Sequence, residues 1–172
     1  MKKIMEMLQN MKAKNEKKDN KGFSLVELII VIAIMAILVG IVGTQVLPYI
    51  NKSKEAKDFQ IINSYGTAAT TAYSSNAEKV QTNITFKVYA PGSDTTAVAL
   101  SDEIKELTGY DSIDDLAGSA STTGKMASKK GKTIAEIQVS IDLTNKKITT
   151  QAYSDANCST GKEVFDAIVT EL

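Results

Sequence analysis

The chain has 172 residues, a formal net charge of zero at pH 7 and a hydrophobic content of 43%. This length allows one globular domain and a membrane segment. The absence of histidine excludes Ser-His-Asp and Cys-His catalysis and removes the commonest side-chain ligand of transition metals. Cys158 is the only cysteine, so no intramolecular disulfide forms. We therefore expect a protein that is not an enzyme and that carries no cofactor or metal.

Lysines are concentrated at the N-terminus. Residues 1–22 contain seven lysines and three acidic residues, whereas residues 23–172 contain thirteen lysines and seventeen acidic residues. Because basic residues that flank a membrane span favour the cytoplasmic side, we expect the N-terminus inside the cell and the C-terminus outside. The acidic balance of the larger part argues against nucleic acid as a partner.

Residues 23–43 form an apolar run in which Ser24 and Glu27 are the only polar residues. As a helix rising about 1.5 Å per residue, the run is about 31 Å long and matches the roughly 30 Å core of a bilayer. It is longer than the apolar region of a secretory signal peptide, and no Ala-x-Ala-like site follows it. A carboxylate in a membrane span costs free energy, so Glu27 needs either a partner or access to water at the interface.

The apolar run is predicted to continue into a second helical segment. Pro48 predicts a kink or break near residue 48. Beyond it, helical spacing predicts one long helix over residues 23–74, apolar in its first half and amphipathic in its second. The buried face of the second half is predicted to contain Ile50, Phe59, Ile62, Ala69 and Tyr73. The opposite face is predicted to hold most of the charged residues Lys52, Lys54, Glu55, Lys57 and Asp58.

The rest of the chain is predicted to supply a small antiparallel sheet on which this helix packs, so the fold class is α+β. Strand alternation and turn residues predict an antiparallel hairpin in which Asn145 takes the left-handed turn conformation. The predicted elements are a strand at 82–90, a short helix from Ser101 to Gly109, a turn at 111–116, a loop at 118–132, strands at 133–142 and 147–153, a loop at 154–161 and a terminal helix over 161–172.

The segment Gly22-Phe23-Ser24-Leu25-Val26-Glu27 resembles the class III signal of type IV pilins and pseudopilins, since a basic leader precedes it and an apolar helix follows. The resemblance covers about residues 18–60. It implies a prepilin peptidase that cuts between Gly22 and Phe23 on the cytoplasmic side and methylates the new amine of Phe23. It also implies a pilin-like fold and a subunit that waits in the cell membrane until an assembly platform and an ATPase move it into an extracellular homopolymer.

The resemblance divides the chain into three parts. Residues 1–22 are a cytoplasmic leader that is cleaved, residues 23–47 a transmembrane and filament-core helix, and residues 48–172 an extracellular globular domain that includes the second half of the long helix. Glu27 is expected to act in filament assembly by pairing with the Phe23 amine of a neighbouring subunit. Pairing with the amine of the same subunit, or contact with water at the membrane interface, are the alternatives.

Three departures from the pilins of Gram-negative bacteria favour a Gram-positive type IV major pilin. Thr44 stands where those proteins usually have a proline, Cys158 has no partner for their C-terminal disulfide, and the leader is longer than in the commonest subclass. The predicted function is a pilus subunit in adhesion, motility or biofilm formation. The alternatives are a pseudopilin of a type II secretion or DNA-uptake machine and a membrane-anchored binding module that does not polymerise.

The remaining polar motifs are interpreted as structural or solvated. They are the acidic residues Asp111, Asp114 and Asp115, the glycosylation-like sequences at Asn83 and Asn157, and the lysines Lys125, Lys129, Lys130 and Lys132. The acids have no EF-hand spacing around them, and the lysines have no interleaved aromatic residues for stacking on bases. Cys158 is interpreted as an inert thiol, because the chain has no histidine to activate it.

Overall fold

The computed structural model describes Lys3, Met5, Glu6 and residues 24–172. Contacts divide the chain into two compact units, Met1–Leu47 and Pro48–Leu172. In the first unit, helix α1 spans Leu25–Ile41 and none of its residues is buried. By length and composition, the helical stretch Leu25–Ser75 contains a segment apolar enough to cross a membrane.

The long helix predicted over residues 23–74 is confirmed as a continuous helical stretch from Leu25 to Ser75, and of the kink or break predicted near Pro48 the break is not found. A π-helical segment, Val42–Val46, follows α1, and helix α2 then spans Leu47–Ser75 with Pro48 in its first turn. The N–H of Leu47 bonds to the carbonyl of Val42, which is the wider π spacing. Proline has no N–H to donate and its ring crowds the carbonyl four residues earlier, here that of Thr44 within the π segment. The wider turn accommodates both effects, so the helix continues.

The second unit is built around a four-stranded antiparallel sheet in the order β1-β2-β3-β4. Its strands are β1 (Ile84–Lys87), β2 (Glu136–Asp142), β3 (Lys147–Tyr153) and β4 (Ile168–Glu171). Between β1 and β2 lie helix α3 (Thr95–Thr108), the short helix α4 (Ile113–Ala117) and a 3-10 turn (Gly131–Thr133). The predicted α+β class and the predicted hairpin between the second and third strands are confirmed.

Helix α2 packs on one face of this sheet. The core includes Ile62 and Tyr65 from the helix, and Val139 and Ile148 from the central strands, all of them buried. A Cβ atom added to Gly66 would lie 2.7 Å from Cγ2 of Ile168, so the helix and β4 approach closely because residue 66 has no side chain. The predicted small sheet against the second half of the long helix is therefore confirmed.

Two predicted boundaries differ from the structure. Helix α3 begins at Thr95, not near Ser101, because Asp94 accepts hydrogen bonds from the N–H groups of Thr96 and Ala97 and caps the helix earlier. Its predicted end is confirmed, since Gly109 takes the left-handed conformation with φ 75°. In the β2–β3 turn the residue with positive φ is Lys146, at 50°, and not Asn145.

The first two predicted strands and the loop between α4 and β2 also differ from the structure in extent. The strand predicted at 82–90 extends only over Ile84–Lys87, and the strand predicted at 133–142 begins at Glu136, after a 3-10 turn that ends at Thr133. The further turn predicted at 111–116 is confirmed as α4. Ile137, Val139 and Ile141 share the buried face of β2.

The predicted terminal helix is wrong, because residues 168–171 form β4 at the edge of the sheet. A bulge precedes the strand. Glu163 bridges Tyr153 and Ile168 pairs with Thr150, so the segment before β4 has more residues between these two pairs than β3 has. The side chain of Gln151 donates to the carbonyl of Phe165 at 2.7 Å and satisfies it where the backbone ladder is interrupted.

Candidate functional site

The residues predicted to direct processing lie at the edge of what the structure describes. Gly22 and Phe23 fall outside the described residues, so cleavage between them and methylation of Phe23 stay predictions. Glu27 is described and lies in the first turn of α1. Its Oε2 atom accepts a hydrogen bond from the backbone N–H of Ser24 at 2.8 Å.

This hydrogen bond gives Glu27 a local role in the helix. The first N–H groups of a helix have no carbonyl partner within it, and a carboxylate at the third position reaches back to satisfy one of them. The negative charge is also favourable beside the positive end of the helix dipole. The Glu27 carboxylate therefore has a hydrogen-bond donor within its own subunit. A neighbour's amine would have to displace this bond or bind the carboxylate in addition to it.

The side chains of α1 present an apolar surface on every side of the helix. Its large aliphatic residues are between 46% and 72% exposed, from Ile41 to Leu25. No residue of the helix is buried within its own unit. Contiguous exposed apolar surface of this extent marks contact with a membrane or with another protein. Chemically, the segment offers an apolar helix with one carboxylate at its start.

Asp58 was predicted on the charged, solvated face of α2, and this prediction is wrong. The residue is fully buried. Its Oδ1 atom accepts from the N–H of Ala127 at 2.8 Å, and its Oδ2 atom accepts from the N–H of Ser128 at 2.7 Å and from the Ser128 hydroxyl at 2.5 Å. Ile50, predicted on the buried face, is 44% exposed. Sequence reasoning missed Asp58 because it lies among lysines in a stretch that resembles a solvated face.

A second buried carboxylate, Glu136, begins β2. It is 2% exposed and accepts hydrogen bonds from the N–H groups of Tyr89 and Ile137. Burial raises the pKa of Glu136 above its usual value, although these hydrogen bonds and the charge of Lys87 oppose the change. The bond to Tyr89 extends the pairing of the first and second strands beyond their backbone ladder. Its role is structural, and its position at a strand start carried no signal in the sequence.

The buried Tyr65 of α2 and the half-buried Tyr89 form a hydrogen-bonded pair. The hydroxyls of Tyr65 and Tyr89 are 2.5 Å apart, and the Tyr65 ring stacks on Tyr110 with centroids 6.3 Å apart. Burial raises the pKa of Tyr65 far above its usual value and that of Tyr89 to about 12. Both hydroxyls are therefore protonated at neutral pH, and the pair serves packing. Tyr65 was not among the residues predicted on the buried face, although its helical spacing from Ile62 and Ala69 is a signal that could have placed it there.

The other candidate residues are not brought together into a site. Asp115 bonds to Ser112 at the start of α4, and within the described residues no group of three or more potential ligands is arranged to hold a metal. The side-chain amide of Asn83 is held by Asp142 and Leu143, whereas Asn157 is exposed in a turn.

Cys158 has φ 55° and is half-buried. Burial raises the pKa of its thiol above the usual value, so the thiolate is scarce at neutral pH. This supports the interpretation of an inert thiol.

Lys125 lines a cleft with Asp111 and Asp115.

Comparison with known proteins identifies the N-terminal segment. Residues 17–43 match the model of the prokaryotic N-terminal methylation motif, the class III signal of type IV pilins. No curated protein and no solved structure shows a significant match to the chain. The exposed apolar helix with its single carboxylate is followed by an α+β domain, and the class III signal motif together with this helix supports membrane anchoring of the chain. The matched motif supports a type IV pilin-like prepilin.

Proposed function

We propose that the chain is the major structural subunit of a type IV pilus of the Gram-positive kind. A prepilin peptidase cuts after Gly22 and methylates Phe23, and the pilus platform and its ATPase then move the subunit from the membrane into a surface filament. The observation that carries the proposal is α1, whose apolar residues are all exposed and which lies within the matched methylation motif. Adhesion, motility and biofilm formation are the roles such a filament would serve.

The proposed division of the chain follows from this function. Residues 1–22 form the cleaved leader, residues 23–47 anchor the subunit in the membrane and later fill the filament core, and residues 48–172 form the extracellular domain. Exposed aliphatic side chains suit both environments, because lipid tails and neighbouring apolar helices are equally good partners for them. No catalytic step of the chain itself is required, in keeping with a structural protein.

Glu27 is proposed to set the axial register of the filament by pairing with the Phe23 amine of a neighbour. A buried charge is tolerated only when it is paired, and register is the best-attested role of buried charges. The bond from Ser24 to Glu27 supports a two-stage account. The carboxylate caps its own helix while the subunit is in the membrane and gains the amine during assembly.

Filaments sheared from cells that express the chain test the proposal. Electron microscopy should show long fibres, and mass spectrometry should identify this chain as the main component with an N-methylated Phe23 at its N-terminus. A processed subunit without long fibres would favour a pseudopilin of a secretion or DNA-uptake machine. A mature protein that retains residues 1–22 would refute the proposal and favour a membrane-anchored binding module.

A further inference from the structure

The sheet of the globular domain has two outer strands, β1 and β4, and each has an open edge. Beside β1, Val88 donates its N–H to the carbonyl of Ile137 in β2, and after β4, Leu172 donates its N–H to the carbonyl of Lys146. Backbone groups alternate in direction along an antiparallel strand, so residues 84 and 86 bond to β2 and residues 168 and 170 bond to β3. The backbone groups of the odd-numbered residues therefore point away from the sheet.

Four residues present their backbone N–H and carbonyl groups at these open edges. They are Thr85 and Lys87 on β1 and Val169 and Glu171 on β4. Among residues 24–172, no backbone hydrogen bond from outside the sheet reaches these groups. An unpaired edge of this kind can accept a further strand through its backbone. Each edge thus offers two residues to an added strand.

The side chains at the two edges differ in charge. Lys87 is on β1, and its ammonium group donates to the carbonyl of Ala156 at 2.6 Å, which leaves two of its three protons for other acceptors. Glu171 is exposed on β4, beside Val169, which is 59% exposed. Lys147 is opposite Glu171 in the β3–β4 register, but no salt bridge joins these two residues in the described part of the chain. One edge is therefore basic and the other acidic.

Antiparallel pairing of β4 with β1 of a second copy would use all four outward residues. In that register Val169 is opposite Lys87 of the second copy, and Glu171 is opposite Thr85. Residues of the core face on one strand then meet residues of the core face on the other, so the inner faces of the two sheets are continuous. Glu171 is diagonal to Lys87 of the second copy, a separation that long side chains of opposite charge can bridge.

Pairing between two identical edges is less favourable. Two β4 strands paired through their outward residues would place the two Glu171 carboxylates diagonal to each other, and two β1 strands would do the same with Lys87. Like charges at this separation repel each other. In addition, β1 and β4 run in opposite directions within the sheet, so copies joined through β4 and β1 share one orientation. Each added copy leaves a free edge for the next, which makes the contact open-ended.

We propose that β4 of one copy pairs with β1 of the next, so that the sheets of neighbouring globular domains join edge to edge. The inference rests on the homopolymer of the proposed function and specifies a contact of that polymer outside its apolar helices. Four strands at a spacing of about 4.8 Å place consecutive copies about 19 Å apart. The interacting partner is a second copy of this chain.

A carbodiimide, which joins an amine to a carboxylate without a spacer, tests the contact in the unaltered full chain. It is applied to membranes of cells that express the chain and to any filaments sheared from these cells. Mass spectrometry of the digest should find Lys87 joined to Glu171. Within one copy these residues are on opposite edges, three strand spacings or more than about 14 Å apart, so this product forms only between copies. The product Lys147–Glu171, which forms within one copy, is the internal control.

Single-cysteine variants made in a C158S background provide a second measurement. Thr85→Cys and Glu171→Cys, on chains with tags of different size, are expressed together and oxidised. Directly opposite residues in this register are about 5.5 Å apart between Cα atoms, which suits a disulfide, so a mixed dimer should form. Thr149→Cys replaces Thr85→Cys in the matched control. Thr149 is on the same face of the sheet but on the internal strand β3, and we expect at least tenfold less mixed dimer from it.

Filaments without the Lys87–Glu171 product, or equal cross-linking from Thr149→Cys and Thr85→Cys, would overturn the proposal. Dimers that join two Thr85→Cys chains or two Glu171→Cys chains in place of the mixed dimer would also overturn it, because they would show that identical edges meet. The proposed function fails separately. Cross-links in membranes of cells that make no filaments would support the edge contact and count against a pilus subunit. Normal filaments without cross-links would refute the edge contact alone.

Discussion

The carboxylate of Asp58 and the hydroxyl of Ser128 form a hydrogen bond of 2.5 Å across seventy residues of sequence. The same carboxylate accepts the N–H groups of Ala127 and Ser128, and the Ser128 hydroxyl in turn accepts the N–H of Gly131 at 2.8 Å. A buried carboxylate is costly unless its oxygens are hydrogen-bonded, and three donors meet that requirement here. The loop before β2 is thereby attached to the long helix.

Replacing Asp58 with Asn is expected to destabilise the domain by about 2–4 kcal/mol. The Asn side chain keeps one acceptor for the Ala127 N–H, but its NH₂ group faces the Ser128 N–H and cannot accept from it. Urea unfolding of the full chain in detergent measures the loss, and amide exchange at Ala127 and Ser128 should accelerate. The control Asp166→Asn changes an exposed carboxylate and should stay within about 0.5 kcal/mol of the parent. Similar stability of the two variants would contradict this account of Asp58.

The parts of the fold that local patterns determine were predictable from the sequence. The apolar run and the hairpin between β2 and β3 each depend on neighbouring residues, and the structure agrees with both predictions. The role of Asp58 depends on donors seventy residues away, which periodicity does not reveal. A carboxylate among lysines has the local pattern of a solvated face, so the wrong face was assigned.

The terminal strand β4 is a second feature that local sequence patterns did not predict. Val164, Phe165 and Ile168 have a spacing compatible with a helix, but β3 offers an edge that residues 168–171 complete as β4. The bulge and the Gln151 amide that supports it are consequences of tertiary pairing. Short apolar segments at a chain end are ambiguous between helix and strand for this reason.

Replacing Thr150 with Val should stabilise the domain by about 0.5–1.5 kcal/mol. Thr150 is fully buried in the core face of β3, and its hydroxyl has no hydrogen-bond partner within the residues that the structure describes. Valine has nearly the same shape and removes the cost of burying an unpaired hydroxyl. The control Thr149→Val, on the other face of the same strand, should change stability by less than about 0.5 kcal/mol. Marked destabilisation by Val at position 150 would show that the hydroxyl has a partner.

Two substitutions of Glu27 separate its charge from its hydrogen bond. Glu27→Gln keeps an oxygen that accepts the Ser24 N–H but removes the charge, whereas Glu27→Ala removes both. If pairing with the Phe23 amine drives assembly, both variants should enter the membrane and both should reduce filament yield at least about tenfold, since loss of a buried charged hydrogen bond costs about 1.5–3 kcal/mol. Filament yield is measured by shearing and immunoblotting. Normal filaments from the Gln variant would show that capping, and not charge, is the role of Glu27.

The stability of Glu136→Gln relative to the parent protein should depend on pH. Burial raises the pKa of Glu136 in the folded domain above the usual value of 4.5, so between these values the folded state binds more protons than the unfolded state. The parent protein therefore loses stability as pH rises above about 4.5, and this loss is complete once pH exceeds the raised pKa. Gln has no proton to release and retains an oxygen for the N–H groups of Tyr89 and Ile137.

The expected result is a stability difference, variant minus parent, that grows in favour of Gln from pH 4 to pH 7. The stability difference between the two proteins is more informative than the pH dependence of either protein alone, because Asp142 and Asp155 also titrate. Hydrogen bonds from Asn145 and Ser159 lower the pKa values of these two carboxyls, so their contribution falls as pH decreases through the acid range, equally in both proteins. Urea unfolding at a series of pH values provides the measurement. A difference that does not change with pH would mean that the Glu136 carboxyl titrates alike in the folded and unfolded chain.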